Sequence, residues 1–296
     1  MQTSSPALIS CIDHIMLRAN DDLYDQVFSL FTDTFQLPIS WPIHNEYPPF
    51  KSGGIVAGSI SMEIFRSGAQ PLYPSQAQLY GIALEATPLP ECVQELTRRG
   101  IPHFPPYAIP QGYFCSRGEF YTLIYLGDLL GSDLSQFFFA DQLGLGAIDN
   151  LMFDRAFSHG MVFVCEYNQT FYQIQQERQK KKAILQEKHG GPLGLEDVKT
   201  LTIGATDLQK AQAQWQRLLA PGGSSQEGEV QFAEGPGIRL VPHKRDEILA
   251  MTWKVASLEQ ANAFLQTRGM LGTTTANQIT IAPETTFGLT ITLVEQ

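Results

Sequence analysis

A short β-strand is predicted at His14-Ile15-Met16-Leu17-Arg18-Ala19-Asn20-Asp21, and the apolar residues that follow it recur at helical spacing. The same order returns later in the chain, where Thr200-Leu201-Thr202-Ile203-Gly204-Ala205-Thr206-Asp207 precedes a second helical stripe. The first stripe consists of Leu23, Val27, Phe28, Leu30, Phe31 and Phe35, and the second of Leu208, Ala211, Trp215, Leu218 and Leu219. A strand followed by an amphipathic helix is therefore a repeated unit of this chain.

A second pair of strand and helix starts matches more closely. Gly81-Ile82-Ala83-Leu84-Glu85-Ala86 and Ala250-Met251-Thr252-Trp253-Lys254-Val255 each precede a helical stripe that ends in Arg-Gly. Gly100 and Gly269 stand at equal distances from these strands, where a left-handed helix cap favours glycine. Segments rich in β-branched and aromatic residues follow all four helices. The sequence thus predicts four units, each a strand, a helix and then several strands.

Two stretches lie outside this repeat. The second unit carries an insertion of about 50 residues, at 104–159, and a loop that long in a compact domain is usually functional. Residues 169–194 are polar, helix-favouring and end in a Gly-rich turn, so they predict a linker helix. The lysines at 180–182 are interpreted as a solvated face offset by Glu177 and Glu187, rather than as an anion-binding patch.

Composition and charge exclude several classes of protein. The 296 residues carry a formal net charge of −10, which has the wrong sign for neutralising nucleic-acid phosphates or anionic lipid. No apolar stretch approaches the roughly 18 residues that span a bilayer, and a secretion signal is lacking, so a cytoplasmic protein is expected. At roughly 150 residues per domain, the length predicts two domains. The cysteines form no Cys-x-x-Cys pair and are expected to be reduced: Cys11, Cys92, Cys115 and Cys165.

The opening unit resembles the vicinal oxygen chelate (VOC) superfamily, which includes glyoxalase I, extradiol dioxygenases and bleomycin-resistance proteins. The resemblance is carried by Ile12-Asp13-His14-Ile15-Met16-Leu17-Arg18, by Asp21, Phe31 and Leu37, and by Gly58-Ser59-Ile60-Ser61-Met62-Glu63-Ile64. It implies an α+β fold of four βαβββ modules forming two tandem glyoxalase-like, cup-shaped domains. The expected boundaries are residues 8–168 for the N-terminal VOC domain, 169–194 for the linker helix and 195–296 for the C-terminal VOC domain.

The resemblance also implies a metal site in the N-terminal domain. Metal-binding members take ligands from the first and last strands of each module, and the matching residues of the first module are His14 and Glu63. The matching residues of the second module are Gly81 and Glu166, so a second histidine is missing and a 2-His-1-carboxylate iron site is not matched. Imidazole and carboxylate ligands suit divalent Zn, Ni, Mn or Fe. The predicted metal ligands are therefore His14, Glu63 and Glu166, and Glu166 is also the predicted catalytic residue that moves a proton.

The C-terminal domain departs further from the family's ligand pattern. Its matching positions are Thr200, Arg239, Ala250 and Thr292, which do not form a plausible metal-binding set. Arg239 would repel a divalent cation. In extradiol dioxygenases the C-terminal domain carries the iron, so the dioxygenase interpretation loses most of its support.

Four other side chains are weighed as functional residues against a purely structural role. Arg18 lies on the same strand face as His14 and is the candidate substrate-binding residue, against the alternative of a charge-tolerant strand end. His103 or His159 could complete the set of metal ligands, but neither lies at a position from which the family takes its ligands. Cys165 has no histidine neighbour in the sequence, so nucleophilic catalysis has little support.

These observations leave several functions open. The leading hypothesis is a glyoxalase-like protein that binds a small oxygen-rich molecule in its N-terminal domain, with metal-dependent lyase or isomerase chemistry. The first alternative is a metal-free protein that binds or sequesters a small molecule, like the bleomycin-resistance proteins. The second alternative is an extradiol-type dioxygenase, and the third is a structural or dimerisation role, since architectures with two cup-shaped domains bury extensive surfaces. The expected partners are a small-molecule ligand and, for the assembly, a second copy of the chain in a homodimer. Superfamily members share a fold and differ in its lining, so the sequence does not identify the substrate.

Overall fold

The computed structural model describes residues 8–47, 50–66, 75–86, 89–109, 121–134, 157–167, 171–220, 224–226, 228–232 and 234–295. Its strands form two eight-stranded sheets, one from each half of the chain. Each sheet contains two βαβββ modules, which confirms the predicted α+β class and the predicted number of modules. Within the described residues, no helix combines the length and the apolar character needed to cross a membrane.

The first sheet contains the first two modules. The first module consists of β1 Ile9–Ala19, α1 Tyr24–Ser29 with a π-helical turn at Leu30–Thr34, β2 Ile39–Tyr47, β3 Phe50–Ala57 and β4 Ile60–Arg66. The second consists of β5 Gln78–Ala86, α2 Leu89–Arg98, β6 Tyr107–Ile109, β7 Tyr121–Leu126 and β8 Met161–Tyr167. The strand order is β2-β3-β4-β1-β5-β8-β7-β6. Because β1 pairs in parallel with β4 and β5 with β8, the first strand of each module lies in the middle of the sheet.

The second sheet repeats this arrangement after a connecting helix, α3 Phe171–Glu187, which confirms the helix predicted there. The third module consists of β9 Leu195–Ala205, α4 Leu208–Leu219, β10 Ser224–Gln226, β11 Glu229–Gln231 and β12 Gly237–Pro242. The fourth consists of β13 Glu247–Val255, α5 Leu258–Thr267, β14 Leu271–Thr274, β15 Gln278–Ile281 and β16 Ile291–Val294. The strand order is β10-β11-β12-β9-β13-β16-β15-β14, the same pattern as in the first sheet.

Local sequence signals account for several helix ends. The side chain of Asp207 accepts a hydrogen bond from the backbone N–H of Lys210 at 3.0 Å and begins α4. Such a cap satisfies a backbone donor that has no partner inside the helix. Gly100 and Gly269 follow α2 and α5 with φ of 63° and 66°, so both predicted left-handed caps are confirmed.

Part of the predicted insertion at 104–159 supplies strands of the second module. Strands β6 and β7 lie within it, and β7 pairs antiparallel with β8. The structure also describes residues 127–134 and 157–159 of this stretch. Cys115 lies outside the described residues.

Contacts along the chain divide it into two compact units, each with residues from both sheets. One comprises Met1–Asp13, Tyr80–Asn168 and Thr202–Ile248, and the other comprises His14–Leu79, Gln169–Leu201 and Leu249–Gln296. In the first unit, the ring of Tyr125 packs against Phe157 and Phe163, with centroid distances of 5.6 and 5.7 Å. In the second, Trp253 packs against Phe31 and Phe35, at 6.1 and 6.0 Å. Each unit therefore has its own aromatic core.

Candidate functional site

The first module brings His14 and Glu63 together on neighbouring parallel strands. In the register of β1 and β4, His14 lies opposite Ser61 and Met16 lies opposite Glu63, so His14 and Glu63 share one face of the sheet. The Nε2 atom of His14 is 3.3 Å from Oε2 of Glu63, and the two side chains are only 9% and 15% exposed. The two residues that the sequence matched to the ligand positions of the first module are therefore in contact.

Ser52 holds the second oxygen of the Glu63 carboxylate. Its hydroxyl donates a hydrogen bond to Oε1 of Glu63, and Ser52 is itself buried. Strands β3 and β4 are antiparallel with Gly54 opposite Glu63, so Ser52 reaches the carboxylate from a diagonal position. Sequence reasoning missed Ser52 because only the pairing of β3 with β4 brings it to Glu63.

Two successive glycines on β3, Gly53 and Gly54, show which face of the sheet α1 covers and which face carries the His14–Glu63 pair. A Cβ atom at Gly53 would lie 2.6 Å from Cε2 of Phe28 on α1, so the helix packs closely on that face. A Cβ atom at Gly54 would instead lie 2.3 Å from the indole of Trp41. Successive residues of a strand point to opposite faces, so α1 covers one face and the His14–Glu63 pair lies on the other.

Strand β2 contributes the side chains of Ser40 and Trp41 next to the His14–Glu63 pair. The rings of Trp41 and His14 pack roughly perpendicular to each other, with a centroid distance of 6.3 Å and an interplanar angle of 79°. The hydroxyls of Ser40 and Ser61 are 2.9 Å apart, which ties β2 to the residue opposite His14 in the register. Sequence reasoning also missed Trp41, because its place depends on the pairing with Gly54.

The negative charge of Glu63 influences the pKa of the buried phenol of Tyr24 on α1. Burial raises the pKa of Tyr24 above its usual range, and the negative charges of Glu63 and Asp25 add to this effect while Arg66 opposes it. The ammonium group of Lys51 lies 4.5 Å from the centroid of the Tyr24 ring. Tyr24 therefore stays a neutral phenol near neutral pH.

Glu166 lies on β8, in the second module. The register of β5 and β8 places Met161 opposite Gly81 and Phe163 opposite Ala83. Since Gly81 matches His14, the residue that corresponds to Glu63 by register is Phe163. Glu166 follows three residues later and points to the opposite face of the strand from Phe163. Glu166 was matched to a ligand position because it follows an apolar strand. The composition of that strand does not reveal how β8 is aligned with β5.

Near Glu166, helix α2 carries a buried thiol. Burial raises the pKa of Cys92 to about 12, with a further contribution from the charge of Glu166 and an opposing one from Arg99. Cys11, Cys92 and Cys165 are buried, reduced thiols, as the sequence predicts. The Cys92 thiol is therefore protonated at neutral pH and is a poor nucleophile.

Arg18 lies on β1, two residues beyond Met16 on the same face as His14. It is only 8% exposed, and its Nη2 donates a hydrogen bond to Oε1 of Gln78 at 2.7 Å. The guanidinium is therefore held at the start of β5. A role in substrate binding remains a prediction for this residue.

The other two histidines considered as ligands lie in the second module. The Nδ1 atom of His103 is 2.8 Å from the carbonyl oxygen of Ile101, and its backbone forms an isolated bridge with Leu126. His159 is exposed and lies near Gly131. Neither histidine lies on the first or last strand of a module.

The corresponding positions of the second sheet carry no ligand set. Arg239 donates to Oε1 of Glu229 at 2.7 Å, which neutralises its charge on the neighbouring strand. Thr292 lies opposite Thr252, and Thr200 is buried. The threonine, arginine and alanine at these positions are not usual metal ligands, and Arg239 is held in an ion pair with Glu229.

The donor set of the described residues does not fit the metal centre that the resemblance implies. A catalytic zinc site usually has three protein ligands. His14 and Glu63 supply two candidate donors, and no three His, Cys, Asp or Glu side chains lie together as a metal-binding group in the part of the chain that the structure describes. His14, Glu63 and Glu166 therefore do not form such a group.

Comparison with known proteins supports the fold. No family model and no curated protein matches the sequence. A hypothetical protein from Staphylococcus aureus matches with a TM-score of 0.58 and 10% identity, over 96% of this chain and 99% of its own. An extradiol ring-cleaving dioxygenase from B. fuscum matches with a TM-score of 0.58 and 9% identity, over 100% of this chain and 74% of its own. Homoprotocatechuate 2,3-dioxygenase from Brevibacterium fuscum, as a substrate complex, matches with a TM-score of 0.56 and 9% identity, over 100% and 83%. The chain thus has an α+β fold with VOC-like tandem modules.

Proposed function

We propose that this protein binds a small, oxygen-rich molecule at the face of the first module that carries His14 and Glu63, without a three-ligand metal centre. The observation that carries the proposal is the 3.3 Å contact between His14 Nε2 and Glu63 Oε2 on a face that α1 leaves uncovered. A carboxylate accepts hydrogen bonds from ligand hydroxyls, and an imidazole donates or accepts them. Together they suit a ligand with several oxygen atoms.

The surroundings of the pair favour binding over metal-assisted chemistry. Ser52 already donates to one Glu63 oxygen, and His14 lies beside the other. The pair therefore places a hydrogen-bonded carboxylate next to an imidazole, which is a recognition element that works without a metal.

The proposal is tested by ligand screening. Purified protein is screened by thermal shift against small hydroxy acids, diols and 3,4-dihydroxyphenylacetate, the molecule bound in one structurally similar dioxygenase. Hits are then measured by calorimetry. We expect Glu63→Gln to weaken binding by at least about tenfold, because a hydrogen bond to a charged group is worth about 1.5–3 kcal/mol. Glu229→Gln is the matched control, because it alters a carboxylate of the second sheet. Equal affinity of Glu63→Gln and the parent protein would contradict the proposal.

A metal-dependent lyase or isomerase is the second candidate, favoured by the position of His14 and Glu63 on adjacent strands. It is tested by elemental analysis after incubation with Zn, Ni, Mn or Fe, followed by desalting. Stoichiometric metal that is lost in His14→Ala would favour this candidate, and Glu166→Ala then tests whether Glu166 contributes. Ring cleavage of a catechol in the presence of iron would favour the extradiol-type alternative.

We also propose a cytoplasmic homodimer. The buried, reduced thiols of Cys11, Cys92 and Cys165 support the first part, since disulfides are rare in the cytosol, and the second part is the assembly expected from the sequence. Light scattering after size-exclusion chromatography measures the mass in solution. A monomer at micromolar concentration would contradict the dimer.

A further inference from the structure

We infer that Trp41 is a stacking surface, and that the ligand of the His14–Glu63 pair is a flat, conjugated ring that carries oxygen atoms. The inference rests on the proposed function, since it names the class of ligand that the same site takes. Its basis is the position of one indole relative to Gly54 and His14.

The indole of Trp41 is seated directly on the backbone of the neighbouring strand. Gly54 lies opposite Trp41 in the pairing of β2 and β3. A Cβ atom at Gly54 would lie 2.3 Å from Cδ2 and Cε3 of the indole, which is closer than any real contact. The absence of a side chain at Gly54 therefore makes room for the ring, and one side of the indole is held against the sheet.

Two further contacts hold the indole beside the polar pair. Its ring is roughly perpendicular to that of His14 at a centroid distance of 6.3 Å, within the range of favourable aromatic pairs. Ser40, the residue before Trp41, has its hydroxyl 2.9 Å from that of Ser61, the register partner of His14. The ring is therefore preorganised next to the imidazole, and ligand binding has little side-chain ordering left to provide.

Trp41 differs from the other two tryptophans in exposure. Trp215 and Trp253 are 1% and 0% exposed and belong to the cores, whereas Trp41 is half-buried. One side of its indole lies on Gly54, and the ring lies beside that of His14, which pairs with Glu63. An aromatic surface beside a hydrogen-bonding pair is complementary to a planar ring whose oxygen atoms reach the pair.

The ligand class is tested with matched pairs of compounds that carry the same number of oxygen atoms on an aromatic or a saturated six-membered ring. Benzoate is compared with cyclohexanecarboxylate, and catechol with 1,2-cyclohexanediol, by calorimetry and thermal shift. The first pair shares a carboxylate and the second has two adjacent hydroxyls, while only the first member of each pair has a flat π-system. We expect the planar member of at least one pair to bind about 3- to 10-fold more tightly, the gain of an aromatic stacking contact.

Variants of Trp41 and Gly54 identify the origin of this preference. Trp41→Phe keeps a flat ring and should retain the preference for planar compounds, whereas Trp41→Leu should lose it. Gly54→Ala should also lose it, because the added Cβ displaces the indole. In the parent protein, planar compounds should quench the tryptophan emission, and this quenching should vanish in Trp41→Phe, because Trp215 and Trp253 are buried.

The outcomes separate this inference from the proposed function. If planar and puckered compounds bind equally and both depend on Glu63, the binding function stands and the stacking role of Trp41 is overturned. A planar preference that persists in Trp41→Leu also overturns it. If planar compounds bind in a Trp41-dependent way that Glu63→Gln leaves unchanged, the stacking surface stands and the proposed role of the His14–Glu63 pair fails. Failure of every pair to bind overturns the ligand class.

Discussion

A single half-buried carboxylate organises the candidate site. Glu63 is 15% exposed, and each of its oxygens has a polar neighbour, Ser52 on one side and His14 on the other. Transferring a carboxylate away from water is costly unless hydrogen bonds replace its hydration. Ser52 is therefore expected to contribute to stability as well as to the orientation of Glu63.

Ser52→Ala tests the contribution of this hydrogen bond. We expect the free energy of unfolding to fall by about 1.5 kcal/mol, because the bond is made to a charged acceptor in a buried position. Urea unfolding followed by circular dichroism measures the change. Ser158→Ala alters an exposed serine and should change stability by less than about 0.5 kcal/mol. A stability loss no larger than that of Ser158→Ala would show that the Ser52 bond contributes nothing.

Gly54 and Trp41 are expected to be energetically coupled. Gly54→Ala forces a Cβ atom into the indole and should cost about 1–3 kcal/mol of stability, the usual range for overpacking. In a Trp41→Ala background the same substitution should cost much less, because the colliding ring is gone. A double-mutant cycle by urea unfolding measures the coupling. Additive effects of the two substitutions would contradict the close contact.

Among the helices, α2 is anchored by its last turn. Glu95 accepts hydrogen bonds from Arg98 Nε and Arg99 Nε, both at 2.7 Å. Nη1 of Arg99 in turn donates to the carbonyl oxygens of Arg217 and Leu218, at 3.1 and 2.9 Å, at the end of α4. The hydrogen bonds from Arg98 and then Arg99 lower the pKa of Glu95 from 4.5 to about 2.

Acid titration tests this cluster. A pKa that is lower in the folded state means that ionised Glu95 stabilises the fold above pH 4.5, and that this contribution is lost as the pH falls towards about 2. Glu95→Gln should therefore show a smaller fall in melting temperature between these two pH values than the parent protein. Glu91→Gln, at an exposed glutamate of the same helix, is the control. A fall in Glu95→Gln as steep as in the parent would rule out the effect.

At the scale of the whole molecule, Asp197 joins a turn of the first sheet to the first strand of the second. Its Oδ1 accepts hydrogen bonds from the N–H and the hydroxyl of Ser59, both at 2.9 Å, and from the N–H of Val198 at 2.9 Å. Gly58, in the same turn, has a φ of 81°, and a Cβ atom there would lie 2.3 Å from the Asp197 carboxylate. The β3–β4 turn is thus fitted closely around Asp197 on β9.

Asp197→Ala is expected to lower the free energy of unfolding by about 2 kcal/mol, because buried donors of the turn lose a charged acceptor. Asp197→Asn keeps an oxygen at the same place and should cost less than half as much. Chemical denaturation of both variants measures the difference. Equal losses in the two variants would mean that the side-chain oxygen is not what holds the turn.

The repeat of strand and helix was predictable, while the partners of the site residues were not. Hydrophobic spacing after His14, Gly81, Thr200 and Ala250 is a local property, and it predicts the order of elements in every module. The His14–Glu63 contact was suggested through the resemblance to a family. Ser52 and Trp41 reach the pair only through the pairing of β3 with β4 and of β2 with β3, which local sequence does not encode.

Local periodicity and glycine placement determined the four strand–helix units and the left-handed caps at Gly100 and Gly269, because these depend on interactions over a few residues. The α+β class followed from the resemblance of these units to a known family. Strand register was decided by the tertiary structure. A shift of three residues along β8 separates Glu166 from Phe163, and in a strand an odd shift moves a side chain to the other face. Side chains from strands that are distant in the sequence meet only in the register that the folded sheet sets. The tertiary structure therefore decided which residues form the candidate site.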